Sequence, residues 1–246
     1  MNKVKKKLSW ISDVDLKRCV GEVVEKGLSG IEKSKKDVAR NSIDPFSALF
    51  DASLQDMNLQ EWLISEQRRQ AQKTLQNALG HFHQSILACV KDCYIPDENF
   101  VDLVCDTRKI VAEIKNKYNT VKGSNLKDVY EELNQAVNGK TSKYRGYTAY
   151  YVTVIASKPE RIHKLFAPSD NSSGTKKSEQ KCIIEIDGVG FYELLTGQKD
   201  ALLQLYNVLP EVIQTVLAEK SLISAHAQNL LKDPQFALFF AQTFAQ

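Results

Sequence analysis

Three residues have the types and spacing for chemistry: Asp102 in one short apolar run, and Glu113 and Lys115 in the next. In a strand, residues i and i+2 point to the same face, so Glu113 and Lys115 emerge side by side with Ile114 turned away. If the two runs pair as a hairpin, Asp102 comes next to them. Two carboxylates and one ammonium then meet in an otherwise apolar sheet. Charges in such a setting need a compensating partner. A divalent metal supplies one, and hard carboxylate oxygens suit Mg²⁺, which keeps waters and borrows phosphate oxygens from a substrate. Such an ion makes water a nucleophile at neutral pH. Lys115 is placed to orient that water, deprotonate it, or offset charge on phosphorus oxygens. This is equipment for phosphodiester hydrolysis. The competing reading is a cross-strand ion pair on a solvated face. The chain has two other acid-x-Lys triplets, Asp15/Lys17 and Glu179/Lys181. The first falls in an amphipathic helical pattern and the second in a polar loop, so only Glu113/Lys115 sits in an apolar strand with a second acid upstream.

The elements that must position these residues follow from hydrophobic period. Residues 12 to 40 predict a helix, with Ser12 as N-cap and Val14, Leu16, Val20, Val23 and Val24 as its apolar positions. Asn41 to Pro45 marks a break. A long helix is expected from Leu59 to Val90, burying Leu75, Ala78, Leu79, Phe82, Ile86 and Val90. Its other side carries Arg69, Lys73, Gln76, Gly80 and His83. A mid-helix glycine costs about 1 kcal/mol, so Gly80 suggests the close approach of another backbone. Phe100–Cys105 and Ile110–Ile114, joined by the polar Asp106–Lys109, read as a hairpin. Leu126–Val137 predicts a helix, and Tyr147–Ala156 a central strand covered on both faces. Residues 168–181 read as a polar loop, Ile183–Ile186 as a further strand, and the chain from Gly190 onward as helical. The order is a mixed α/β fold with a small central sheet flanked by helices, not a βαβα series. No glycine-rich phosphate loop follows a strand, which argues against NTPase and dinucleotide folds. The expected layout is one domain over 1–246. It has a mainly helical part at 1–93, an α/β core at 94–195 and a helical part at 196–246.

Composition narrows the partners. With 33 Lys and Arg against 30 Asp and Glu, the net charge of +3 excludes a polybasic binder but not a local basic cleft. Residues 107–145 hold nine basic and four acidic side chains, with Lys117, Tyr118, Asn119, Lys122 and Arg145 as candidates for phosphate and base contacts. Each of these taken singly reads equally well as part of a solvated face. Gln76 is a candidate amide on the helix before the hairpin. No uninterrupted apolar run approaches the ~18 residues of a membrane helix, and the basic N-terminus lacks a signal peptide's apolar stretch. A cytoplasmic protein without membrane contact is the expectation. Cys19, Cys89, Cys93, Cys105 and Cys182 are then expected as free thiols. His81, His83, Cys89 and Cys93 raise a zinc site, but they lack a C-x-x-C spacing and would spread around a helix.

Asp102 with Glu113-Ile114-Lys115, on a helix–hairpin–helix–strand order, resembles the PD-(D/E)XK nuclease superfamily. Residues 44–51 (DPFSALFD), 72–80 (QKTLQNALG) and 112–120 (AEIKNKYNT) look like one family of type II restriction endonucleases, whose members cut at GGNCC or narrower variants. Residues 190–197 (GFYELLTG) are similar to a segment found in several restriction enzymes. Val101 stands where the motif's name has Pro. The resemblance implies a restriction-endonuclease-like core and Mg²⁺-dependent cleavage of double-stranded DNA. It also implies a partner DNA methyltransferase, with Asp102 and Glu113 as metal ligands and Lys115 as the catalytic lysine. A homodimer reading a palindromic site is expected, because one chain offers one site. A repair or structure-selective nuclease on the same core, and a non-catalytic DNA-binding module, remain alternatives.

Overall fold

In the computed structural model, residues 6–37, 43–97, 100–121, 125–169, 175–222 and 233–244 are described. Six strands form one sheet: β1 (Cys93–Tyr94), β2 (Leu103–Cys105), β3 (Ile110–Lys117), β4 (Thr148–Ile155), β5 (His163–Leu165) and β6 (Ile183–Asp187). Their order is β1-β2-β3-β4-β6-β5. β3, β4 and β6 run parallel, and the remaining pairs are antiparallel. The sheet is thus mixed, as the sequence pattern implied. The two-residue β1 and the exposed three-residue β5 are too short to carry a period, and the sequence does not announce them.

Seven helices accompany the sheet among the described residues: α1 (Asp13–Asp37), α2 (Pro45–Leu54), α3 (Leu59–Ala88), α4 (Leu126–Asn138), α5 (Gly188–Thr196), α6 (Ala201–Glu219) and α7 (Gln235–Thr243). Their starts are written locally. Ser12 Oγ accepts from Asp15 N at 3.0 Å at the head of α1. Asn58 and Glu61 close a reciprocal capping box on α3. Asp44 caps α2 ahead of Pro45 in the first turn. The sequence reading recognised the break at this point but not the helix after it.

Side-chain alternation divides the core. On one face Ile110, Ala112, Ile114, Tyr150, Val152 and Val154 pack with α1, α3, α5 and α6. On the other, Val111, Ala149, Tyr151 and Ile183 pack with α4 through Val129, Leu133, Ala136 and Val137. β4 is buried on both faces, as its apolar run requires. α6 is the one described helix long and apolar enough to cross a membrane by length and composition. It lays Leu202, Leu205, Val212 and Val216 into the core instead.

Several expectations need correction. The apolar stripe of α3 is buried at Phe82 and Ile86, and Val90 just beyond it is buried too, but Leu75 is 38% exposed. The N-terminal half of that helix runs past the sheet and packs on α1 and α2. A Cβ at Gly80 would meet nothing within 4 Å, so no backbone approaches there; the close contact is Gly30 of α1 against Thr74. His83, placed on the polar side, is half-buried, with its Nδ1 2.9 Å from the Tyr192 hydroxyl. Cys93 and Cys105 are not free thiols. They face each other in the β1–β2 register with Cα atoms 4.2 Å apart, joined as a disulfide. Their separation of 12 residues carries no motif; only the pairing of β1 brings them together. Cys19, Cys89 and Cys182 are free.

Candidate active site

The hairpin forms where the two apolar runs predicted it. Its connection is a 3-10 turn at Asp106–Arg108, closed by Lys109 in the left-handed region at φ 51°. Leu103 pairs with Ala112, which sets the step before it, Asp102, against Glu113. Two hydrogen bonds fix Asp102 there. Its amide donates to the Ala112 carbonyl at 2.9 Å, and its Oδ2 accepts from the Ile114 amide at 2.7 Å. One carboxylate oxygen thus caps the edge of β3, which leaves Oδ1 for another partner.

Glu113 and Lys115 share the α4 face of β3 with Val111, and Lys115 Nζ donates to the Glu113 carboxylate. The side chains of Lys115 and Glu113 are 23% and 15% exposed, so water screens them poorly. Burial pushes the Glu113 carboxyl up to about 7; the Asp102 carboxylate adds to that, and Lys115 opposes it. Burial works against the Lys115 ammonium, but the Glu113 and Asp102 carboxylates outweigh it and hold its pKa above the ordinary lysine value. One ammonium against two carboxylates leaves the site short of positive charge. A solvent-deprived carboxyl with a raised proton affinity, as Glu113 has, is what a hard divalent cation replaces a proton on. Asp102 and Glu113 therefore fit Mg²⁺, which needs one or two protein carboxylates and takes its other ligands from water and phosphate.

The sheet extends this row. Glu113 pairs with Tyr151, Tyr151 with Glu185, and Glu185 with Lys164, across four strands. Lys164 Nζ lies 3.4 Å from Glu185. Beside the row is a cleft of about 500 Å³ whose walls include Tyr118, Tyr151, Thr153, Lys164, Lys176 and Glu185. Sequence reasoning missed Glu185 and Lys164. A signal for Glu185 was present, since an acid inside the apolar run Ile183–Ile186 is the same anomaly that singles out Glu113. Lys164 carried none, because β5 is too short.

The other candidate residues fall in different places. Lys117, Tyr118 and Asn119 are exposed at the C-terminal end of β3. Tyr118 N bonds to Ile155 O at 3.0 Å and Thr120 N to Lys117 O at 3.1 Å, which makes a tight turn there. Tyr118 joins the cleft wall. Arg145 is exposed before β4, at the end where Ile110 pairs with Thr148. At ~3.3 Å per residue it lies more than roughly 20 Å along the sheet from Lys117. Gln76 is exposed on α3, beside Thr74 and Leu75 where they contact α1. Lys122 lies outside the described residues. Of the four residues weighed for zinc, Cys93 is committed to its disulfide.

A mixed sheet with helices on both faces, carrying two carboxylates and a lysine across its first hairpin, defines a nuclease of the restriction-endonuclease-like fold. Comparison with known proteins sharpens that class. The Eco47II restriction endonuclease family model matches residues 8–218. The chain is 43% identical over 216 residues to "Type II restriction enzyme Eco47II" of Escherichia coli, covering 87% of this chain and 89% of that one. It is 32% identical over 226 residues to "Type II restriction enzyme Sau96I" of Staphylococcus aureus, covering 87% and 84%. The chain belongs to the Eco47II restriction endonuclease family and is a type II restriction endonuclease. Membership decides among the readings left open by the sequence, in favour of restriction over repair or a non-catalytic module.

Proposed function

We propose that the chain hydrolyses phosphodiester bonds of double-stranded DNA at a short palindromic site, GGNCC or a subset of it, with Mg²⁺ held by Asp102 and Glu113. The observation that carries this reading is the meeting of Asp102, Glu113 and Lys115 in a half-buried site where the Glu113 carboxyl is pushed up to about 7. Mg²⁺, when bound, supplies Lewis-acid charge and lowers the pKa of the attacking water. Asp102 and Glu113 would hold the ion. Asp102 does so with one oxygen while its other is tied to the β3 amide. Lys115, which donates to the Glu113 carboxylate, would offer its ammonium to the phosphate oxygens and offset the charge that builds there. Lys117, Tyr118 and Asn119 follow on the same strand and suit contacts to the adjoining backbone or bases.

The choice of GGNCC rests on the sequence resemblance described above. A palindrome wants two-fold symmetry, so a homodimer with one site per strand fits it. A DNA methyltransferase of matching specificity would complete the system by protecting the host's own sites, and a cytoplasmic location would put the enzyme beside its DNA substrate. Incubation with plasmid DNA and Mg²⁺ tests the reading. Discrete fragments with palindromic ends are expected. A smear, or a gel shift with no cutting under any divalent ion, would overturn it.

A further inference from the structure

We propose that α2 is the surface through which two copies of this chain associate. α2 has no buried residue, although it is one of the more apolar helices in the chain. Phe46, Leu49, Phe50 and Leu54 recur at helical spacing and form one stripe. That stripe faces outward: the four are 75%, 68%, 69% and 83% exposed. The side turned toward α3 is the small and polar one, with Ser47, Ala48 and Asp51 beside Trp62, Glu66 and Arg69. An amphipathic helix normally buries its apolar stripe, and α2 is docked the other way round. From α3, Trp62 Nε1 donates to Asp51 at 3.0 Å, a polar bond that holds this orientation, and within the helix Gln55 Nε2 donates to the same carboxylate at 2.6 Å. Leu59, 72% exposed, adds apolar surface just beyond the helix.

Area and charge name the occupant. An aromatic side chain carries ~200 Å², so at these exposures the stripe offers roughly 500 Å² of apolar surface. That is as large as the largest exposed patch of a typical monomer, and such patches mark interaction sites. Pairing with the same stripe on a second copy removes on the order of 1,000 Å², the size at which a specific interface begins. The stripe itself bears no charge. Asp51, the one charged residue in α2, is tied to Trp62 and Gln55. Two α2 helices packed about a two-fold axis therefore meet apolar face to apolar face with no like charges opposed. The choice of a second copy rests on the dimer reading above.

Sedimentation equilibrium of the full chain without DNA, at about 10 μM, tests this. The wild type is expected to weigh twice 27.8 kDa. Leu49→Glu and Phe50→Glu, and the milder Leu49→Gln, are expected to raise the dissociation constant by at least about 100-fold, with far-UV circular dichroism unchanged because these side chains are exposed. A monomeric wild type overturns the proposal. So do variants that stay dimeric, which place the interface elsewhere, and variants that lose DNA affinity with the dimer intact, which make α2 a DNA contact. Plasmid cleavage with Mg²⁺ separates this from the catalytic reading. A dimer that cuts nothing leaves the interface standing and sinks the nuclease site, and a monomer that cuts does the reverse.

Discussion

At the scale of single residues, the site is a charge imbalance built on purpose-made geometry. Lys115 neutralises half of what Asp102 and Glu113 bring, and burial keeps water from neutralising the rest. Glu113→Ala or Lys115→Ala is expected to lower the cleavage rate at least about 100-fold, the scale of losing one charged stabilising group, with DNA binding in Ca²⁺ still measurable. Cutting by either variant within about tenfold of wild type would falsify the assignment. The raised Glu113 pKa gives a pH dependence whose sign is fixed. Below about 7 the carboxyl holds a proton that a metal ion must displace; above it, the carboxylate is free. Ca²⁺ affinity, read by calorimetry without DNA, should therefore rise between pH 6 and pH 8 and flatten beyond, and Glu113→Gln should erase the slope. A flat profile in the wild type would remove Glu113 from the ligand set. These residues were legible in the sequence because a charge inside an apolar strand is an anomaly with a short menu of explanations. The raised proton affinity of Glu113 was not, since it depends on how deeply the folded chain buries it.

At the scale of elements, the hairpin is the part on which the site depends, and it is pinned at both ends. Cys93–Cys105 ties β1 to β2, and the Asp102 amide and carboxylate tie the chain before β2 to β3. Alkylation of the denatured, unreduced protein should label three cysteines, and five after reduction. Labelling of all five without reductant would mean that the pair is open. On the far side of β4, α5 begins against bare backbone. A Cβ at Gly188 would lie 2.7 Å from both Val154 Cα and its carbonyl oxygen, so only glycine fits. Gly188→Ala should cost about 1–3 kcal/mol, the usual scale for forced overpacking, and each kcal/mol should lower Tm by roughly 2–4 °C in a chain of this size. A Tm within a degree of wild type would show that the helix start can shift without strain. α1, α3 and α4 were legible because each is long and periodic, and β4 because its apolar run is continuous and rich in β-branched and aromatic residues. α2, β1 and β5 were not. α2 keeps its period but turns the stripe outward, and the two strands are defined by their neighbours rather than by their own residues.

At the scale of the whole molecule, one chain supplies one Asp102–Glu113–Lys115 site, while a double-strand break needs two bonds cut on strands of opposite polarity. In the proposed homodimer, two copies related by a two-fold axis would present their sites to the two strands symmetrically, and a palindromic site would follow from that symmetry. The arrangement has a kinetic signature. With a dimer on supercoiled plasmid, both strands are cut within one encounter, so linear DNA should appear without a large nicked population. Diluting the enzyme well below its dimer dissociation constant, or using Leu49→Glu, should slow the second cut and let nicked circles accumulate before linear product. With a net charge of only +3, DNA attraction under the proposed reading would come from local groups such as Lys117 rather than from the whole surface. Raising salt from 50 to 200 mM should therefore weaken Ca²⁺-supported binding steeply, by about 10³-fold or more if six or more phosphates are contacted, while leaving the ratio of nicked to linear product unchanged. Linear product that forms at the same ratio in the wild type and in a demonstrably monomeric Leu49→Glu would show that one chain visits the strands in turn. In that case the symmetry argument, and the palindrome with it, would no longer hold.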